Sequence, residues 1–124
     1  MKQRLMRYLA ALEAAEKRSD GLIAALEAEA RQDEANLEKI RRNVYGIFIS
    51  LAQADWAQAQ KEQDPLGAFQ QLHTQRFERF PEPWRQRMAK AQAHGDVVTQ
   101  TIEETKLKTV AQLWRLFEET EAET

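Results

Sequence analysis

One periodicity constrains this chain more than anything else in it. The positions Leu5, Leu9, Leu12, Glu16, Ser19, Ile23, Leu26, Ala30, Asp33, Leu37, Ile40, Val44, Ile47, Leu51 and Ala54 follow one another in alternating steps of four and three. Such spacing keeps one stripe of side chains on one face of an α-helix and is the mark of a heptad seam. From Ile23 to Ala54 every seam position is apolar except Asp33. A strand cannot use this pattern, because its side chains alternate with a period of two.

Composition supports the same class. Outside a few punctuation marks the chain is written in Ala, Glu, Gln, Leu, Lys and Arg, the residues that lose least on entering a helix. The hydrophobic fraction is 43%, but 19 of those residues are Ala, so the core must be thin. Charges make up 31% of the chain yet nearly cancel, at 18 basic against 20 acidic residues. A patterned, nearly neutral chain folds where a strongly charged one would not. At 124 residues, one domain is the expectation.

The seam predicts a long helical region over residues 2–60. Ser19, Asp20 and Gly21 read as a turn with an N-cap, yet the seam passes through them without a change of phase. Three readings follow: a helical hairpin that turns there, one very long helix that tolerates Gly21, or a break beside Asp33 with that carboxylate as the cap. Asp33 otherwise sits at the rim of the seam, in contact with water. Beyond Gln60 the boundaries are sharper. Asp64 and Pro65 form an N-cap and first-turn pair and open a helix over 65–79. Pro81 and Pro83 predict an extended link, because a residue before proline avoids helical dihedrals. A short helix over 83–94 ends at Gly95, a left-handed cap. Asp96 caps a last helix over 97–121. The expected fold is therefore all-α, an elongated bundle of four to five helices that includes one very long heptad-patterned helix.

Length carries a consequence for assembly. A compact domain of this size is about 35 Å across, whereas an unbroken helix over 22–60 would reach roughly 58 Å. The overhang predicts a homodimer whose self-association seam is Ile23, Leu26, Leu37, Ile40, Val44, Ile47 and Leu51. The competing expectation is a kink at Gly46 that folds the two halves into one monomeric bundle.

Few chemistries find the residues they need. The chain has no Cys, and hence no disulfide and no thiolate ligand or nucleophile. It has no Glu-x-x-His for a helical di-metal site. Acidic neighbours such as Glu29 with Asp33 and Glu34 with Glu38 read as a solvated face rather than a magnesium site. The two serines, Ser19 and Ser50, lack a neighbouring base, and no Gly-rich phosphate loop is present. His73 reads as an edge-of-core residue and His94 as a C-terminal helix cation. No enzyme, cofactor or metal is expected. Lys2, Arg4 and Arg7 interrupt the N-terminal apolar residues, which does not suit a secretion signal, and no run is long enough to span a membrane. A cytoplasmic location is the expectation.

Charge is unevenly spread, at +3 over each of residues 1–18 and 65–95 and −4 over each of 19–39 and 96–124. Alternating blocks of opposite sign suit basic elements lying on acidic ones, within a protomer or across a dimer. One basic and aromatic patch stands out, formed by Arg76, Arg79, Phe80, Trp84, Arg85, Arg87 and Lys90. It offers a surface for another protein, or for nucleic acid through stacking and phosphate contacts. Against this, its aromatics fall at core spacing, with Trp84 sealing a corner between helices. The functional expectation is a self-associating helical interaction or scaffold protein, with a nucleic-acid-binding accessory protein as the alternative.

Overall fold

The computed structural model describes residues 2–122, which form five helices: α1 (Lys2–Ala28), α2 (Gln32–Ala59), α3 (Pro65–Arg79), α4 (Glu82–His94) and α5 (Val97–Ala122). No strand occurs among the described residues, so the fold is all-α. None of these helices is long and apolar enough to cross a membrane.

The long helical region is two helices, and the chain reverses over Glu29, Ala30 and Arg31 rather than at Ser19–Gly21. The Arg31 N–H bonds the Leu26 carbonyl at 2.9 Å, and the Ala30 N–H bonds the Glu27 carbonyl at 3.1 Å. Those two bonds are the Schellman closure of a helix, which needs a left-handed residue at its centre. Ala30 takes that place at φ 58°, where glycine is the usual occupant. The turn was therefore invisible as glycine punctuation. Ser19 and Asp20 stay helical because α2 holds them from the side: Ser19 Oγ donates to the Glu38 carboxylate, and Asp20 accepts from Arg42 Nε at 3.0 Å. Asp33 is exposed in the first turn of α2, and Arg31, not Asp33, occupies the N-cap position without a side-chain capping bond. Helix α2 also runs unbroken through Gly46.

Helices α1 and α2 pack as an antiparallel hairpin. In α1 the buried positions Leu5, Leu12, Ser19 and Leu26 keep heptad spacing, with Tyr8 added. In α2 the buried face beyond Val44 is Phe48, Ala52, Asp55 and Ala59, one residue round from the expected Ile47, Leu51 and Ala54. The reason is that α2 touches α1, α3 and α5, so its buried face is shared among three neighbours instead of facing one seam. Ile47 and Leu51 pack on the edge of the core, half-buried. Ile23, Leu37 and Ile40 are also half-buried but lie outside that core cluster.

The second half follows its punctuation closely. Asp64 Oδ1 accepts from the Gly67 N–H at 3.2 Å and caps α3, with Pro65 at its first position. The Pro81–Pro83 link is not extended. Phe80 (φ −62°, ψ −40°) and Pro81 (φ −77°, ψ −3°) keep helical dihedrals. The Pro81 carbonyl accepts from the Trp84 and Arg85 N–H groups at 2.9 and 3.0 Å, which starts α4 at once. Packing of Phe80 against Trp84, edge to face at 5.6 Å, rewards the tight corner. Gly95 (φ 67°) closes α4 with the same pair of bonds seen at Ala30, and Asp96 Oδ1 caps α5 through the Thr99 N–H at 3.1 Å. Buried threonines in α5 satisfy their own hydroxyls. Thr105, Thr109 and Thr120 each donate to the carbonyl four residues back at 2.8 Å.

Candidate functional site

Where α1, α2, α3 and α5 meet, the core contains a chain of polar groups among aromatic rings. Helix α3 presents Phe69, His73 and Phe77 at steps of four on its buried face. Helix α1 contributes Tyr8, α2 contributes Phe48 and Asp55, and α5 contributes Phe117, all buried. His73 is stacked on Phe69 at 5.2 Å, and the rings of Tyr8, Phe77 and Phe117 lie within 5.2 Å of it, edge-on. Each buried aromatic ring favours folding by about 1.5–3 kcal/mol. A polar group in such surroundings must be bonded or it destabilises the core.

The bonds are all present. Asp55 Oδ1 accepts from Arg76 Nη2 at 2.8 Å and from Arg76 Nε at 3.0 Å. Asp55 Oδ2 lies 3.0 Å from His73 Nδ1, and His73 Nε2 lies 2.6 Å from Tyr8 Oη. A carboxylate held by a guanidinium can only accept, so His73 carries its proton on Nδ1 and donates it to Asp55. Nε2 is then a lone pair, and the Tyr8 hydroxyl donates to it. The result is an unbroken sequence of donors and acceptors from α1 through α3 to α2 and back to Arg76 on α3. Burial lowers the His73 pKa, against the opposing pull of the Asp55 bond and charge, and Arg76 lowers it further. Burial, aided by the Asp55 charge, pushes the Tyr8 phenol far above its ordinary value. Both groups are neutral at pH 7, while the Asp55–Arg76 pair carries the charges.

Each end of the chain approaches the surface. The Tyr8 ring lines a half-open cleft of about 320 Å³ between α1, α3 and α5, walled by Leu5, Leu66, Phe69 and Phe117, with Arg4, Asp64, Gln70 and Thr120 also lining it. Arg76 is 40% exposed and lines a separate cleft with Leu72, Gln75, Arg79 and Phe80. Chemically, the arrangement can hold α1, α2 and α3 in one register. No group of three or more His, Cys, Asp or Glu residues among those described is placed to hold a metal ion.

The expected basic and aromatic patch is distributed differently. Arg76 turns inward to Asp55, Arg85 bonds Glu82 Oε2 at 2.9 Å and the Glu78 carbonyl, and Arg87 pairs with the buried Glu103 at 3.3 Å. Trp84 is buried, with Lys106 of α5 lying 5.4 Å over its ring. Phe80 is the most open of the two aromatics at 37%, and Arg79 and Lys90 are exposed. The acidic neighbours are occupied as well: Glu29 and Glu34 both bind Arg31, and Glu38 binds Arg41 at 2.9 Å. Ser19 is buried against Glu38 and Ser50 is exposed.

His73 is a correction to the sequence reading. It lies at the centre of the core, fully buried, not at the edge. Its signal was present as a polar residue placed four from Phe69 and four from Phe77 on an apolar face. Asp55 and Tyr8 were harder to find, because Asp55 lies one position off the seam and Tyr8 beside it. Comparison with protein families, with characterised proteins and with solved structures finds no match to this chain.

Proposed function

We propose that this protein is a helical interaction or scaffold module that forms a homodimer through the outer face of its α1–α2 hairpin. The length argument for pairing is gone, because the turn at Glu29–Arg31 removes the single rod. What carries the reading instead is apolar surface left on the hairpin. Leu22 is 47% exposed, and Ile23, Leu37 and Ile40 are partly exposed and lie outside the core cluster. Two helices alone bury little, whereas two hairpins side by side make a four-helix bundle with a closed core. Surface area points the same way. The chain exposes 7736 Å², roughly 900 Å² more than the ~6,800 Å² usual for a folded monomer of this mass. A standard interface buries about 800 Å² per partner.

Charge suggests the direction of pairing. Residues 19–39 carry −4 and residues 1–18 carry +3, so a two-fold arrangement that lays the acidic tip of one hairpin along the basic base of its partner is the complementary one. It also brings Ile23, Leu37 and Ile40 of one copy towards the partner copy's Ile47 and Leu51. Sedimentation velocity across the micromolar range tests the proposal. A mass near 28.8 kDa, twice the 14.4 kDa chain, that falls to one chain in Leu37→Glu/Ile40→Glu with helicity retained, is the expected result. A monomer at every concentration refutes it.

The nucleic-acid reading is the weaker one, because Arg76, Arg85 and Arg87 already have carboxylate partners. Binding of the unmodified protein to single-stranded DNA or RNA at low salt, lost in Arg79→Gln/Lys90→Gln, would revive it.

A further inference from the structure

The half-open cleft beside Tyr8 has the dimensions and lining of a small-molecule site. We propose that this cleft, between the first turns of α1 and α3 and the last turns of α5, binds a neutral, planar aromatic molecule of one or two rings. Its volume of about 320 Å³ is more than twice the ~150 Å³ of an apolar cavity that takes up benzene, and it falls within the range of ordinary ligand pockets. Three aromatic residues from three helices, Tyr8, Phe69 and Phe117, converge on it. Their rings are mutually inclined, Tyr8 to Phe117 at 56° and 5.1 Å, and Phe69 to Phe117 at 76° and 6.3 Å. Rings arranged in this way accept a further ring edge-on or offset. All three are only 1–5% exposed although they line open space, so the crevice is narrow and its floor poorly hydrated. A flat apolar molecule suits such a space, and a solvated ionic group does not.

The polar groups around the cleft give no preference for charge. Tyr8 Oη is bonded to His73 Nε2 at 2.6 Å, Thr120 Oγ1 donates to the Leu116 carbonyl at 2.8 Å, and Asp64 Oδ1 accepts from the Gly67 N–H at 3.2 Å. None of these three has to find its partner in a ligand. Arg4 and Gln70 are also engaged within the chain. Arg4 and Asp64 supply one charge of each sign to the lining, so the mouth selects neither a cation nor an anion. Leu66 adds an independent observation. It is half-buried in the first turn of α3 and lines the cleft, yet it does not pack on the core cluster that includes Leu5, Phe69 and Phe117. Apolar area held over a cleft and left uncovered by its own fold gains from an apolar ligand placed against it.

Amide NMR of the full chain titrated with indole tests the site. Indole should shift the amides of Leu5, Leu66, Phe69 and Phe117 saturably and leave those of the hairpin turn, Glu29–Arg31, unmoved. Indole-3-acetate and tryptamine carry the same ring with opposite charges, and each should bind no more than about fivefold tighter than indole. Because Leu66 lies outside the core cluster, its variants should keep the fold, which circular dichroism and thermal melting verify. Leu66→Ala should weaken indole about tenfold through lost apolar contact. Leu66→Trp should fill the cleft with its own ring and abolish the saturable shifts; if that variant does not fold, Leu66→Ala decides. No saturable shift at millimolar indole, unchanged binding in folded Leu66→Ala or Leu66→Trp, or a charged analogue tighter than the stated margin overturns the proposal.

Discussion

Asp55→Asn is the substitution that asks most of the site. Asp55 is buried to within 1% and accepts from His73 Nδ1 at 3.0 Å and from Arg76 at 2.8 and 3.0 Å. Asparagine keeps the shape but has one acceptor oxygen, and its amide hydrogens must point at either the guanidinium or the His73 N–H. A bond to a charged group contributes about 1.5–3 kcal/mol, and removing one partner of a buried pair costs about 3–5 kcal/mol. Arg76 moderates the loss, because at 40% exposure its guanidinium can turn to water. We therefore expect a destabilisation of about 2–3 kcal/mol, below the full buried-pair value. For a chain of this size that lowers Tm by roughly 6–15 °C. Urea unfolding followed by the fluorescence of Trp56, Trp84 and Trp114 measures it, and Arg76→Gln in a double-mutant cycle isolates the pair, with a coupling of about 1–2 kcal/mol. A loss below about 0.5 kcal/mol, with an unchanged denaturant slope, would show that the network does not hold the core together.

Gly21, inside α1, and Ala30, at the turn, call for opposite exchanges. A Cβ on Gly21 meets nothing within 4 Å, so Gly21→Ala should stabilise α1 by about 0.5–1 kcal/mol, read as a rise in the urea midpoint. Ala30 sits at φ 58°, so Ala30→Gly should also stabilise, by about 0.5–1 kcal/mol after allowing for the greater freedom of the unfolded chain; a lower Tm would argue that the hairpin turns elsewhere. At Gly67 the reverse holds, since an added Cβ would collide with the Asp64 carboxylate and lies only 3.0 Å from its Cγ. Gly67→Ala should therefore displace the cap of α3 and destabilise by about 1 kcal/mol, and should cost little more in an Asp64→Ala background.

How much was legible in advance depended on whether a residue's partner lay nearby in the chain. The starts of α3 and α5 and the end of α4 were readable, because Asp64 with Pro65, Gly95 and Asp96 act on backbone groups within a turn of themselves. The hairpin turn was signalled only by the polar seam position Asp33, two residues beyond it and not itself the cap, because an alanine does at Ala30 what glycine does at Gly95. The corner at Pro81 kept helical dihedrals against the local preference of Phe80 because Phe80 and Trp84 pack together there.

The same division applies to the site. Periodicity and helix-forming composition alone determined that this chain is all-α, with a heptad stripe along its first sixty residues, since those follow from rotation per residue and side-chain entropy. Which side of α2 would be buried, and that Tyr8, Asp55, His73 and Arg76 would meet, was decided only when α3 and α5 docked on the hairpin. Those contacts join residues as far apart as positions 8 and 73, and a one-dimensional pattern carries no term for the low-dielectric space in which distant polar groups are forced to satisfy one another.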